Sequence, residues 1–364
     1  MTKFSKCWQI KLSPSTPPDS SPTSMRLNNF DLIRLFAALQ VAVTHSITHL
    51  KVTVLSPFVG GLNYLPGVPI FFIISGFLIS MSWERAPSLR QYILNRVLRI
   101  YPALWVCLAF SIAIFLVSGI RPDSLTNFLA WFFAQITFFQ FYNPEFLRDF
   151  GVGAINGSLW TIPVEIQFYV LLPLLATAKR IRWIWMFYAA IAAIIMLMTR
   201  HYAGRETIFH KLLFVSIFPY LFYFLVGVIV RLIYEKKPVI FEGKCLLWGL
   251  AYFVWVAVEL QFNIEGSTGN QLNIISIILI GMLIVSLAFS MPKVSLRVLR
   301  CNDISYGIYI YHGPILNLLL FNSIVSVPGF SLVMSGTFLA SLLSWRLIEK
   351  PALKLKTYSL RRLS

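Results

Sequence analysis

In the segment "FDLIRLFAALQVAVTHS", Phe30 to Ser46, three ionisable side chains, Asp31, Arg34 and His45, stand among apolar residues. An imidazole in an apolar interior can act as a base when a partner holds it in the right tautomer. A guanidinium can grip a phosphate with its planar fork. His45 follows Arg34 by almost three helical turns, so one helix face would carry both, roughly 16 Å apart. Asp31, three residues before Arg34, falls on that face as well and can neutralise it. Plainer roles exist: Arg34 can snorkel to headgroups beside Asp31, and a single His in a span can merely bridge two helices. His45 and His49 have the i, i+4 spacing of a metal pair. The Glu of an HExxH motif is missing and no third ligand is near, so no metal is expected.

Four other stretches carry chemistry. "SLWTIPVEIQFY" holds Glu165 and Tyr169. At ~1.5 Å per residue, His45 lies about 21 Å above the inner end of its segment and Glu165 about 9 Å below the outer end of its own. In a core of ~30 Å the two reach one level, where a carboxylate could orient an imidazole; two unrelated buried groups are the alternative. "RVLRIYPALW" sets Arg96 and Arg99 at i, i+3, suited to phosphates or to anchoring at a membrane surface. "FFIISGFLI" contributes Ser75 and Gly76, and "SYGIYIYHGPI" contributes Tyr309 and His312. No GxSxG elbow is present, so Ser75 reads as a hydrogen-bonding or packing residue and not as a hydrolase nucleophile.

The elements that must position these residues are membrane helices. Of 364 residues, 57% are hydrophobic and only 12% charged, half the ~25% of an ordinary soluble domain. Apolar runs near the ~20 residues that cross a bilayer recur at about 31–50, 66–83, 101–120, 159–178, 183–199, 211–230, 245–262, 271–290, 304–321 and 331–348. The apolar piece 126–142 reads as a short re-entrant or interfacial segment. The expected fold is therefore all-α, a polytopic transmembrane helical bundle of about ten spans. With both termini inside, 24 Lys and Arg fall in cytoplasmic segments and six in outer loops: Lys51, Arg121, Arg148, Arg200, Arg205 and Lys211. If 126–142 crossed, the "KRIR" cluster at 179–182 would face outward and the alternation would fail. The net charge of +17 is explained this way, without nucleic acid. Cys7, Cys107, Cys245 and Cys301 form no CxxC pair and suggest neither a disulfide framework nor a zinc site.

Three regions follow: a Ser/Pro-rich cytoplasmic tail over 1–27, expected to be disordered; a membrane domain over 28–350; and a basic cytoplasmic tail over 351–364. Met25 is a candidate start, and no secretory signal is apparent.

Taken in order, Arg34 and His45 with ten residues between them, "FFIISGF", "RVLRIYP", "SLWTIPVEIQFY", "SYGIYIYHGPI" and the closing "IEKP" with Glu349 and Pro351 resemble the acyltransferase-3 family. These are polytopic membrane acyltransferases that include surface-polysaccharide O-acetylases, and the resemblance covers about residues 28–350. It implies an inner-membrane enzyme that moves an acyl group, most simply acetyl, from cytoplasmic acyl-CoA to a hydroxyl of an envelope glycan or lipid-linked sugar, among membrane lipids and with no bound cofactor. Arg34, Arg96 and Arg99 would hold the donor. His45 would deprotonate the acceptor or carry the acyl group, and Glu165 would orient the imidazole or bind the acceptor. Asp31, Ser75, Tyr169, Tyr309 and His312 would support them. The competing class is a transporter whose solute path uses the same intramembrane charges, but no internal repeat accompanies it.

Overall fold

Hydrocarbon offers backbone N–H and C=O groups no partner, so a membrane chain must bond them within its own helices or a closed barrel. In the computed structural model the chain is helical, with no strand among the described residues, which are 28–85, 88–177, 183–201, 207–264, 266, 269–291, 293–300 and 302–361. The tail 1–27, "KRIR" at 179–182, Arg205 and Cys301 lie outside them.

The helices in chain order are α1 (Phe30–His49), α2 (Ser56–Leu62), α3 (Gly67–Arg85), α4 (Leu89–Val117), α5 (Leu125–Ile136), α6 (Thr161–Ala176), α7 (Ile184–His201) and α8 (Ile208–Phe214). Then follow α9 (Leu221–Lys236), α10 (Cys245–Gln261), α11 (Ile274–Ser290), α12 (Val294–Leu299), α13 (Ser305–Phe321), α14 (Ser326–Ser344) and α15 (Lys350–Arg361). Helix occupies every one of the ten expected segments. Among the described residues six stretches are long and apolar enough to cross a membrane: α1, residues 53–85 around α3, α4, residues 157–176 ending in α6, α7, and residues 326–355 from α14 into α15. At 12 residues α5 is only about 18 Å long, short of the ~30 Å core.

Several boundaries move, each for a local reason. α4 starts at Leu89, where the Ser88 side chain caps the Gln91 N–H, so Arg96 and Arg99 lie within the helix and not ahead of it. The segment expected at 211–230 breaks around Pro219, and α9 runs on to Lys236. Its Arg231, 1% exposed, does not end the helix because Glu84 on α3 takes both guanidinium nitrogens, at 2.6 and 2.8 Å. Glu235 adds a contact at 3.3 Å. α14 passes through a π-helical turn, Trp345–Glu349, into α15, so the basic C-terminal segment is helical as far as Arg361.

α1 packs on α3 and α13, and α3 packs most extensively on α9. The α3–α9 contact depends on two glycines. A Cβ on Gly76 would lie 2.0 Å from the Phe224 carbonyl oxygen, and one on Gly227 would lie 2.1 Å from that of Ile73. Without side chains the two backbones touch, and dispersion does the work that water cannot do inside a membrane. Gly76→Ala and Gly227→Ala should each lower the thermal midpoint of detergent-purified protein, at about 1–3 kcal/mol of overpacking. Gly249→Ala, whose new methyl would meet nothing nearer than 3.8 Å, should leave the midpoint unchanged or slightly raised.

Candidate active site

One end of the site is built where α1 finishes beside the middle of α13. Half-buried His45 and fully buried His312 meet there, with Nδ1 of His45 3.2 Å from Nε2 of His312. Gly313 lets the turn before α6 lie directly on α13, since a Cβ at that position would come within 2.4 Å of Asn156 Oδ1. Asn156 Nδ2 donates to the Ile310 carbonyl at 2.7 Å, which fixes the turn. Ser158 then reaches His312, its Oγ 3.0 Å from Nε2. Tyr309 locks the same turn by donating to the Ser158 carbonyl at 2.8 Å, and so accepts from the Thr161 hydroxyl at 2.8 Å.

These contacts assign the protons. His312 Nδ1 lies 3.1 Å from the Ile308 carbonyl oxygen. A carbonyl can only accept, so Nδ1 carries the hydrogen, and in the neutral ring Nε2 carries the lone pair. The His45 Nδ1–H and the Ser158 hydroxyl both address that lone pair. With its Nδ1 protonated, neutral His45 has a basic Nε2.

His45 lines a cavity of about 220 Å³, together with Gln40, Thr48, Asn63, Trp160 and Asn270 among others. Two loops roof it. Gln40 pins the loop after α2, accepting from the Gly67 N–H at 2.8 Å and donating to the Leu62 carbonyl at 3.3 Å. Tyr252 bonds the Tyr64 carbonyl in the same loop. The loop before α11 is held by Tyr223, whose hydroxyl donates to the Asn270 carbonyl at 3.0 Å, and by Arg200, which donates to the Leu272 carbonyl at 2.6 Å. The two loops join where the Gly269 N–H bonds the Asn63 carbonyl at 2.9 Å.

At the far end of α1 lies a cluster of charge. Asp303, on the loop before α13, takes Arg99 at 2.6 Å and Arg34 at 3.4 Å, while Asp31 takes Arg34 from within α1. Ser305 Oγ donates to the other Asp303 oxygen at 2.5 Å. Burial acts to raise the Asp303 carboxyl, but Arg99 and Arg34 outweigh it and hold the group well below the usual carboxylate range. Arg96 bonds Ser82 at 2.8 Å and stacks over Tyr92 and Tyr169. The Nε groups of Arg34 and Arg96 are buried without a hydrogen-bond partner, as is one oxygen of Glu349, whose other oxygen accepts from Ser344 at 3.0 Å.

Between the two ends sits Glu165. The carboxylate expected beside His45 instead accepts from Ser75 Oγ at 2.8 Å and from Tyr169 OH at 2.6 Å, all on one oxygen. The imidazole partner of His45 is His312. The structure thus brings together His45 with His312, Ser75 with Glu165 and Tyr169, and Arg34 with Asp31 and Arg99. Ser158, Thr161 and Asp303 were not singled out from sequence, although the first two lie in "SLWTIPVEIQFY" and Asp303 stands two residues before "SYGIYIYHGPI".

The chain is 35% identical to Nodulation protein 10 of Rhizobium leguminosarum bv. viciae, over 95% of this chain and 99% of that one. It is 25% identical to the O-acetyl transferase of Shigella phage Sf6, over 89% of this chain and 95% of the other. Peptidoglycan O-acetyltransferase OatA of Listeria monocytogenes is also 25% identical, over 79% of this chain but only 51% of its own length. No solved structure matches. The acyltransferase-3 family model, described as an acyltransferase domain, matches residues 27–347, and the chain, a multi-pass membrane protein, belongs to that family.

Proposed function

We propose that the protein transfers an acyl group, most simply acetyl, from cytoplasmic acyl-CoA to a hydroxyl of a cell-envelope carbohydrate, with His45 as general base. The observation that carries this reading is the His45–His312 contact at the wall of a cavity, on the same helix face as the Arg34 cluster. The names of the relatives support acetyl as the group and a glycan as the acceptor.

His45 Nε2 takes the proton of the acceptor hydroxyl as its oxygen attacks the thioester carbonyl. The C–S bond breaks, and the imidazolium returns the proton to the departing thiolate. His312 holds the His45 Nδ1–H throughout, which fixes the basic nitrogen and stabilises the imidazolium. Arg34, Arg96 and Arg99 would receive the donor's phosphates, and the buried unpartnered Nε–H groups of Arg34 and Arg96 support an anionic ligand there. The ~16 Å between Arg34 and His45 suits an extended donor whose reactive end lies far from its charge. The Ser75–Glu165–Tyr169 group would position the donor's arm. The distribution of Lys and Arg supports the Arg34 end as cytoplasmic, both termini inside and residence in the inner membrane.

Four measurements test the reading. His45→Ala and His45→Gln should cut kcat by about 10²–10⁴-fold with expression intact, and activity within about threefold of the parent would sink the base assignment. His312→Asn should lower kcat by roughly 10²-fold and shift its pH profile while leaving KM for acetyl-CoA unchanged. Combined with His45→Ala it should add little, because the two act as one unit.

Arg34→Lys and Arg99→Lys should raise KM for acetyl-CoA, since an ammonium cannot reproduce the guanidinium fork. Unchanged KM in both would reduce these residues to anchors.

Reporter fusions after Lys179 and at Ser364 should both report cytoplasm. An outward signal after Lys179 would mean that the 126–142 segment crosses.

A further inference from the structure

We infer that the sugar residue receiving the acyl group is uncharged, and that it enters the cavity at His45 as a single ring. The inference rests on the transferase reading and adds the chemical class of the acceptor.

The first observation concerns charge. The described residues lining the cavity include no Lys, Arg, Asp or Glu. Thr48, Asn63 and Asn270 are neutral hydroxyl and amide groups, Trp160 adds an aromatic surface, and apart from His45 and His49 the described lining residues include no group that is charged near neutrality. This is notable in a chain with 31 Lys and Arg and a net charge of +17, where a counter-ion for an anionic acceptor would be easy to supply. Lys51, the nearest basic residue along the chain, is exposed and does not line the cavity. A carboxylate or phosphate drawn into such a space would lose its water without gaining a Lys or Arg counter-ion from the described lining, a cost far larger than for a hydroxyl or an acetamido group. It would also stabilise the imidazolium of His45, the wrong state for a base.

The second observation concerns size. The cavity, about 220 Å³, is below the roughly 300–1,000 Å³ of sites that enclose drug-sized ligands, so the space beside His45 suits one ring, with any further rings of the acceptor outside it. Its roof is tied down independently by Gln40, Tyr252, Tyr223 and Arg200, and the two roof loops are bonded to each other through Gly269 and Asn63. The space is therefore preformed, and seating more than one ring within it would require these bonds to break.

The test has two arms. Envelope glycans from cells with and without the chain are digested and the acylated residue is located by tandem mass spectrometry. Acyl on a neutral hexose or N-acetylhexosamine is expected. Acyl on a uronate, a phosphorylated sugar or another charged residue would overturn the inference while leaving the transferase intact. No acyl difference at all would bring down the transferase reading and this one with it.

In the second arm the fragment so identified is the acceptor, with acetyl-CoA as donor, for Asn63→Asp and Asn63→Lys, repeated at Asn270. A neutral ring should see both charges alike, with acceptor KM values within about threefold of each other. An anionic ring should split them by about tenfold or more, Asp raising KM and Lys lowering it, in a manner relieved by salt. That split at either position would refute the proposal.

Discussion

α1 and α13 are tied to each other at two levels, and the rest of the site is spaced by that pairing. At one level Asp303, two residues before α13 begins, takes Arg34 and Arg99. At the other, His312 meets His45. The two helices run in the same direction, so the rise from Arg34 to His45 on one is matched by the rise from Asp303 to His312 on the other. An ion cluster and an imidazole pair are thereby held at a fixed separation by two rigid rods. Helices serve this better than loops, because their length is set by backbone hydrogen bonds that have no competitor in hydrocarbon.

Polar groups inside an apolar bundle are stable only where each finds a partner. The partners here come mostly from other helices: Ser75 on α3 for Glu165 on α6, Glu84 on α3 for Arg231 on α9, and Tyr92 on α4 for the Tyr169 carbonyl on α6. Breaking one such pair strands a buried charge, which costs more than the pair contributes when intact. The polar residues therefore specify which helices are neighbours, while apolar packing and the glycine contacts of α3 and α9 supply the adhesion. Buried polar atoms without a hydrogen-bond partner occur on Arg34, Arg96 and Glu349 and also away from them, on Trp131, Arg231 and Glu259 among others.

How much of this the sequence disclosed depended on whether the relation was local. The Arg34–His45 spacing needs only the pitch of one helix, and Asp31 with Arg34 needs less than a turn. The ten helical segments followed from runs of apolar residues. The partner of His45 was another matter, because His312 is 267 residues away. Comparing depths across a slab can bring two residues to one level but cannot say which way their helices face, and Glu165 turns toward Ser75 instead. Boundaries near charges also misled: Arg231 and Arg96 lie well inside helices because each has a partner that sequence order does not reveal. Asp303 sits in a loop, where an acidic residue looks like any other, and only the arginines above it give it a role.

The loops roofing the cavity lie outside the column of paired side chains that runs down the bundle. They are fastened mainly through their own backbone carbonyls and amides, by Tyr223, Tyr252, Arg200 and Gln40. A bond to a backbone group is indifferent to the side chain of the residue that offers it. The residues facing the cavity from these loops can thus be exchanged without loosening their attachment or disturbing the histidines beneath. On the proposed transferase reading, such a scaffold would separate what is recognised from what reacts: one set of chemical groups could be kept while the recognition surface drifts toward a different sugar. On that reading the bundle would be a platform on which acceptor preference changes by few substitutions, at positions that carry little of the fold.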